Sequence, residues 1–320
     1  MRHIDVFNGD ADGICALHQL RLAEPADAEL ITGVKRDIEL LKRVTAGPGD
    51  EITVLDVSLD RNRGALVELL ERGARVRYFD HHAATDIPAH PGLKAMIDES
   101  ADLCTSMLVD RFLGGRFRVW AVVAAFGDNL GNSALRLAES LKLDKGRQDA
   151  LRELGENLNY NSYGETESDL LIHPADLYRI VKRYADPFDL IRKESLFGQL
   201  SKERVSDLQK ALALTPQRRS NAADAYVLPD EHWSRRVSGL FANHLTVMEP
   251  QRAHAVLTRN AQEGFTVSLR SPLDAKTTAL DFCRLFPTGG GRRHAAGINH
   301  LDRARLEEFF NQFEKTFRNN

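Results

Sequence analysis

The sequence predicts an α/β protein in which a parallel-sheet domain is joined by a helical connector to a smaller α+β domain. Three observations predict it. Short apolar runs alternate with helical patterns early in the chain, a charged stretch without strand-like runs crosses its middle, and strand-like runs resume toward the end. Strand and helix in alternation is the signature of βαβ crossovers, which cover both faces of a parallel sheet. At 320 residues the chain exceeds the usual size of one domain, and 42% hydrophobic residues supply a core for each of two.

The runs at 4–7, 29–31, 52–55 and 76–79 are too short and too rich in β-branched or aromatic residues for helices, so they predict strands. Helical patterns follow near 14–22, 38–44 and 62–71. After Ala101 the pattern turns mainly helical, at 103–113, 119–126, 134–141 and 148–158, and residues 1–185 form the first domain. Residues 186–220 read as the connector, because Lys193, Lys202, Glu203, Arg204 and Lys210 recur at the spacing of a solvated helix that Pro216 closes. Residues 221–320 carry strand-like runs at 225–228, 253–258 and 265–270 and a final helix near 303–317. Neither an internal repeat nor a low-complexity tract interrupts this order.

Composition excludes several classes. A formal net charge of -3 argues against gripping long nucleic acid by bulk charge. Cys15, Cys104 and Cys283 lie far apart with no CxxC pair, which speaks against a zinc cage and for a reducing cytoplasm. The opening Met1-Arg2-His3-Ile4-Asp5 lacks the apolar segment of a signal peptide, and no stretch approaches the roughly 20 apolar residues of a membrane span. A cytoplasmic protein is expected, and a homo-oligomer is left open.

In a parallel sheet the loops leaving the carboxyl ends of the strands meet in one crevice, where ligands bind. Asn8-Gly9-Asp10-Ala11-Asp12-Gly13 follows the first strand, Asp56 ends the third, and Asp80-His81-His82 ends the fourth. Taken singly, Asp10 and Asp12 are also turn and cap residues, and Asp56 also reads as a helix cap. Asp128, after the apolar run 119–126, is equally a helix-end turn. Together they place Asp or His on several loops expected at one edge. Hard carboxylates mixed with imidazole suit manganese and also admit magnesium, iron, cobalt or zinc.

These residues resemble the DHH superfamily of phosphoesterases, which includes RecJ-like exonucleases and nano-RNases. Asp10 and Asp12 match its first motif, Asp56 its second, Asp80, His81 and His82 its third, and Asp128 its fourth. Gly289-Gly290-Gly291-Arg292-Arg293-His294-Ala295-Ala296-Gly297 resembles the glycine-rich signature of the DHHA1 domain. The resemblance implies two manganese ions, with magnesium or another divalent metal as substitutes. Asp56 would bridge them, with Asp10 on one and Asp12, His81 and Asp128 on the other. His82 would contact the substrate phosphate, and Asp80 would orient the histidines. Gly289, Gly290, Gly291, Arg292, Arg293 and His294 would hold a phosphate or nucleotide end.

Two departures stand out. Val6 occupies a position where the family commonly has a metal-binding histidine, which implies either one weakly held metal or Asn8 as a substitute, by its oxygen or through water. Arg292 stands where a histidine often follows the three glycines. The expected function is a metal-dependent phosphodiester hydrolase, a 3′-5′ exonuclease or oligonucleotidase binding short nucleic acid. The alternatives are a phosphodiesterase for cyclic dinucleotides or other small phosphoesters, and a nucleotide-binding protein with a decayed metal site. His173, His232, His244, His254 and His300 show no metal-like spacing, and Trp120 reads as core.

Overall fold

Each apolar run of the first part forms a strand in the computed structural model, which describes residues 1–318. The strands are β1 (His3–Phe7), β2 (Ala28–Ile31), β3 (Glu51–Leu55) and β4 (Arg75–Asp80), with a fifth, β5 (Leu93–Ile97), that the sequence did not announce. Its residues are half-buried or exposed, so its apolar signal is diluted. All five pair in parallel in the order β2-β1-β3-β4-β5. The chain runs from β1 outward to β2 and returns to β3 on the other side, which makes the carboxyl ends of β1 and β3 the point where the winding reverses.

Alternation along these strands divides the core into two layers. Val6, Val54 and Tyr78 stand in register and pack with Leu59, Leu66, Leu69 and Leu70 of α2 (Leu59–Glu71). Phe7, Leu55 and Phe79 face the opposite way, toward α1 (Ala11–Ala23), α3 (Thr105–Phe112), α4 (Arg118–Gly127) and α6 (Lys145–Ser162), the last reached through α5 (Gly131–Ser140). Helix α1 is buried from Ala11 to Leu20, and it begins a turn before the apolar pattern because its first turn is built from the Asp and Gly residues of the acidic motif.

The helix expected at 38–44 is only a 3-10 turn, Leu40–Arg43. The Asn62 side chain accepts from the Leu41 N–H and donates to the Ile38 and Ser58 carbonyls, taking the groups a longer helix would have paired internally. Two glycines allow the helices beneath the sheet edge to touch. A Cβ on Gly155 would stand 2.2 Å from the Val123 carbonyl oxygen, and one on Gly127 2.3 Å from the Ala11 Cβ. The polar middle carries α7 (Pro174–Val181), α8 (Pro187–Lys193) and α9 (Ser195–Leu212). The first two are short, with proline at their starts; α7 was not anticipated, while α8 lies within the helical connector expected at 186–220.

The chain forms two units, Met1–Ser201 and another beginning at Lys202, so the division falls inside α9. The second unit holds a six-stranded sheet ordered β10-β11-β9-β8-β7-β6, made of β6 (Arg218–Arg219), β7 (Ala223–Val227), β8 (Ala253–Arg259), β9 (Phe265–Arg270), β10 (Gly289–Arg292) and β11 (Ala295–Leu301). Helix α10 (His232–Met248) carries the chain from β7 to β8, the one parallel pair. Helices α11 (Ala279–Cys283) and α12 (Leu306–Phe317) supply Phe282, Phe309, Phe310, Phe313 and Phe317 to its core. Among the described residues no helix is long and apolar enough to cross a membrane.

His18 on α1 gives the first unit an acid-sensitive core. Its ring is 1% exposed, meets the edge of Trp120 at 4.5 Å and bonds through Nε2 to the Tyr184 carbonyl at 2.7 Å. Burial lowers its pKa to about 4. The unfolded chain therefore takes up a proton near pH 6.5 that the folded one refuses until about pH 4, so this stability is intact above pH 6.5 and is lost as pH falls through that window. The loss should reach about 3 kcal/mol. Urea melts of wild type and His18→Phe between pH 7 and 4 should show a weaker pH slope in the variant, and parallel slopes would remove His18 as the cause.

Candidate active site

Asp10, Asp12 and Asp56 meet at the carboxyl ends of β1 and β3, each at most 3% exposed. Asp10 is the N-cap of α1. Its Oδ1 accepts from the Asp12 and Gly13 amides at 3.0 and 3.1 Å, while Oδ2 accepts from Lys35 Nζ at 2.5 Å. Asp12 lies in the first turn of α1 and reaches the start of α3, where its two oxygens accept the Thr105 and Ser106 amides, each at 2.7 Å. Both carboxylates are thereby fixed by helix N-termini, whose amides favour negative charge. The turn-and-cap reading of Asp10 is correct, and the cap occupies one oxygen while the other faces Lys35.

For Asp56 the cap reading fails, because Ser58 is the N-cap of α2. Asp56 instead adopts φ +59°, a left-handed conformation that a residue with a side chain holds at a cost of order 1–3 kcal/mol. Its amide is tied to the Phe79 carbonyl at 3.0 Å, and its Oδ1 lies 3.3 Å from the Thr105 hydroxyl and 3.4 Å from His81 Nε2.

His81 places Nδ1 3.1 Å from the Leu103 carbonyl oxygen. Nδ1–H donates there, which fixes the ring and turns Nε2 toward Asp56. Asp80, the last residue of β4, is fully buried, and its Oδ1 accepts from the His81 amide at 2.9 Å and from His82 Nδ1 at 2.7 Å. The His82 side chain is 42% exposed, against 11% for His81. Asp128 is the C-cap of α4, so the helix-end reading also holds, and its Oδ1 lies 3.5 Å from Lys35 Nζ. Asn8 donates from Nδ2 to the Lys35 carbonyl at 3.2 Å.

Electrostatics divide the cluster. Burial raises the carboxyl of Asp56 well above the usual range, with the charges of Asp12 and Asp10 adding and His81 opposing. Burial also raises Asp12, reinforced by Asp128 and Asp10 and opposed by His81. Burial works the same way on Asp10, but the charge and hydrogen bond of Lys35 outweigh it and hold that carboxyl low. Burial would lower the His81 imidazole, yet Asp56, Asp12 and Asp128 push it up to about 10. Asp12 and Asp56 therefore have the His81 imidazole to oppose their charge, but no ammonium such as the one Lys35 brings to Asp10.

A divalent cation fits that deficit. The donors are carboxylate oxygens and an oriented imidazole, and Asn8 Oδ1 and Asp80 Oδ2 are buried with no hydrogen-bond partner among the described residues. Asp56, His81 and His82 each offer one ligand atom within 4.8 Å of the others'. Lys35 was not anticipated from sequence. It follows β2, whose carboxyl end belongs to the same edge, so the rule that selected the aspartates also applied to it.

Gly289, Gly290, Gly291, Arg292, Arg293 and His294 belong to the second unit and form no open loop. They make β10 and its turn into β11, with Gly291 at φ +133° against Ala296 and with His294 Nδ1 3.2 Å from Ser271 Oγ. Only glycine fits at Gly289, where a Cβ would stand 1.7 Å from the Cys283 carbonyl oxygen.

No family model and no curated protein sequence matches this chain. Solved structures do. A manganese-bound exonuclease RecJ matches with TM-score 0.65 and 20% identity over 98% of this chain and 89% of that one. RecJ from Thermus thermophilus in complex with Mn2+ matches with TM-score 0.69 and 21% identity over the whole of this chain and 52% of its own, so this chain spans about half of that protein. PggH of Vibrio cholerae, a pGpG-specific phosphodiesterase, matches with TM-score 0.54 and 12% identity over 100% and 99%. The chain thus has the fold of RecJ and PggH, and its resemblance to the DHH/DHHA1 phosphoesterases stands on fold as well as on motifs.

Proposed function

We propose that this chain is a divalent-metal-dependent phosphodiesterase that removes nucleotides in the 3′-5′ direction from short oligonucleotides, with manganese as its metal. The observation that carries the reading is Asp56, a buried carboxylate held in a left-handed conformation, capping nothing and facing Asp12 and His81. Strain of this kind persists where the surrounding structure over-determines it, and sites of chemistry are where it collects.

Asp12, Asp56 and His81 would hold the metal, with Asp10, Asp128 and Asn8 around it. When bound, a divalent ion neutralises phosphate charge and makes water nucleophilic at neutral pH. The chain's own residues do the rest. Leu103 fixes the His81 ring so that Nε2 faces Asp56, and Asp80 accepts the Nδ1–H of His82. That bond leaves Nε2 of the half-exposed His82 as the atom to meet a phosphate oxygen. Arg292 and Arg293 would supply charge for a phosphate or nucleotide end.

A short substrate is favoured by the net charge of -3, since long strands are gripped by extended basic tracks. One fold neighbour is an exonuclease, which supports removal of nucleotides from an end, and another acts on pGpG, a linear dinucleotide, which supports a short substrate. Hydrolysis of a cyclic dinucleotide is the second reading, because the same donors would serve it. Mn2+-dependent hydrolysis of a dinucleotide, a 5-mer, a 24-mer and cyclic dinucleotides decides. Mononucleotide release fastest from the shortest linear substrates is expected. Preference for the cyclic compounds would replace the first reading with the second, and no turnover with any divalent metal would sink both.

A further inference from the structure

We infer that Lys35 is a built-in cation of this site, so that the chain holds one divalent ion, at Asp12, Asp56 and His81, where two would otherwise be expected. The inference rests on the metal-dependent reading above and specifies it.

Lys35 Nζ lies 2.5 Å from Asp10 Oδ2, 3.0 Å from Asn159 Oδ1 and 3.5 Å from Asp128 Oδ1. An ammonium has three donors and no acceptor, and three side-chain oxygens surround it here. It is not a mobile surface lysine. Its amide donates to the Ser162 carbonyl at 2.9 Å, its carbonyl accepts from Asn8 Nδ2 at 3.2 Å, and its side chain is 27% exposed. The backbone is therefore pinned from α6 on one side and from the acidic motif on the other, and the charge is delivered where Asp10 and Asp128 converge.

The cluster thus has two unequal halves. Asp10 already has both oxygens engaged, one by backbone amides and one by Lys35, and Asp128 shares the same ammonium. Among the described residues Asp12 and Asp56 have only the His81 imidazole beside them and no ammonium, and the strained Asp56 belongs to that half. Position 6 on β1 cannot provide another ligand, because Val6 is fully buried in the apolar layer under α2. A second divalent ion between Asp10 and Asp128 would have to displace Lys35 Nζ or stand against a like charge a few ångströms away. Lys35 is a positioning residue in this reading. It neutralises half the cluster permanently and leaves one place for an exchangeable ion.

The test counts ions and needs no turnover. The metal-stripped full chain is titrated with MnCl2 by calorimetry, and the bound Mn2+ is examined by electron paramagnetic resonance. Wild type should bind one Mn2+ per chain with the spectrum of an isolated ion. Lys35→Met, which keeps the stem and removes the charge, should bind two with an exchange-coupled spectrum, and Lys35→Arg should return the count to one. Asp10→Asn, which keeps the helix cap, should leave the count at one, and this variant together with wild type decides the matter if Lys35→Met does not fold. Two coupled ions in wild type, or one ion in a folded Lys35→Met, overturns the inference while the metal-dependent reading survives. No bound Mn2+ in wild type overturns both.

Discussion

Asp56→Asn should lower metal-dependent hydrolysis by a factor of a thousand or more while leaving the metal-free fold at least as stable as wild type. A thousandfold loss corresponds to about 4 kcal/mol of transition-state stabilisation, the order expected when a ligand that organises a catalytic ion is removed. Stability moves the other way for reasons visible in the structure. The carboxyl is buried beside Asp12 and Asp10, which work against its charge, and removing that charge relieves the repulsion. Asparagine keeps the size of the side chain and tolerates φ +59° about as well as aspartate. Asp56→Gly separates the contributions, because it also removes the left-handed strain and should be the more stable where strain dominates. Thermal melts without metal and hydrolysis assays with Mn2+ check both halves. Retention of a tenth of the activity in a folded Asp56→Asn would remove Asp56 from the chemistry, and a melting point lower by several degrees would make it a structural residue. Such opposition of stability and activity is the behaviour of a site held against its own electrostatics.

The sequence showed the sheet edge better than the sheet. β1, β3 and β4 were legible because each is a short strand rich in β-branched or aromatic residues that leads at its carboxyl end into Asp or His, so element and ligand candidates were read together. β5 escaped because an edge strand with exposed Lys94 and half-buried neighbours has no such run, and the turn at 40–43 was read as a helix because side-chain pairing from Asn62 is invisible to periodicity. The cap readings show where local rules stop. Asp10 is both cap and site residue, Asp128 both helix end and neighbour of Lys35, and Asp56 no cap at all, a distinction made by whether a free amide lies within reach. Lys35 was missed for another reason. A lysine after a strand resembles every solvated lysine until Asp10, Asp128 and Asn159 are brought around it from positions far along the chain. The glycine run reads as a loop on composition alone, whereas its pairing with Ala295–Leu301 turns it into an edge strand.

The adjacent histidines should separate into two roles. His81 is 11% exposed, donates from Nδ1 to the Leu103 carbonyl and points Nε2 at Asp56, so its orientation is that of a ligand secured from behind. His82 is 42% exposed and bonded through Nδ1 to Asp80, which leaves Nε2 for a group arriving from solvent. His81→Ala should therefore weaken Mn2+ binding at least tenfold and abolish measurable hydrolysis. His82→Ala should leave Mn2+ affinity within about twofold and lower kcat/KM by roughly a hundredfold or more, the magnitude expected of a removed phosphate contact or proton-transfer group. The contrary outcome is also physically available, because one ligand atom of His82 lies within 4.8 Å of those of Asp56 and His81. A His82→Ala chain whose Mn2+ affinity falls as far as that of His81→Ala would place both imidazoles on the metal. Asp80→Asn then reads the connection between them. An amide can still accept the His82 Nδ1 proton through its oxygen but makes a weaker bond than a carboxylate, so a loss confined to kcat/KM assigns Asp80 to His82, whereas a loss of Mn2+ assigns it to the ligand set.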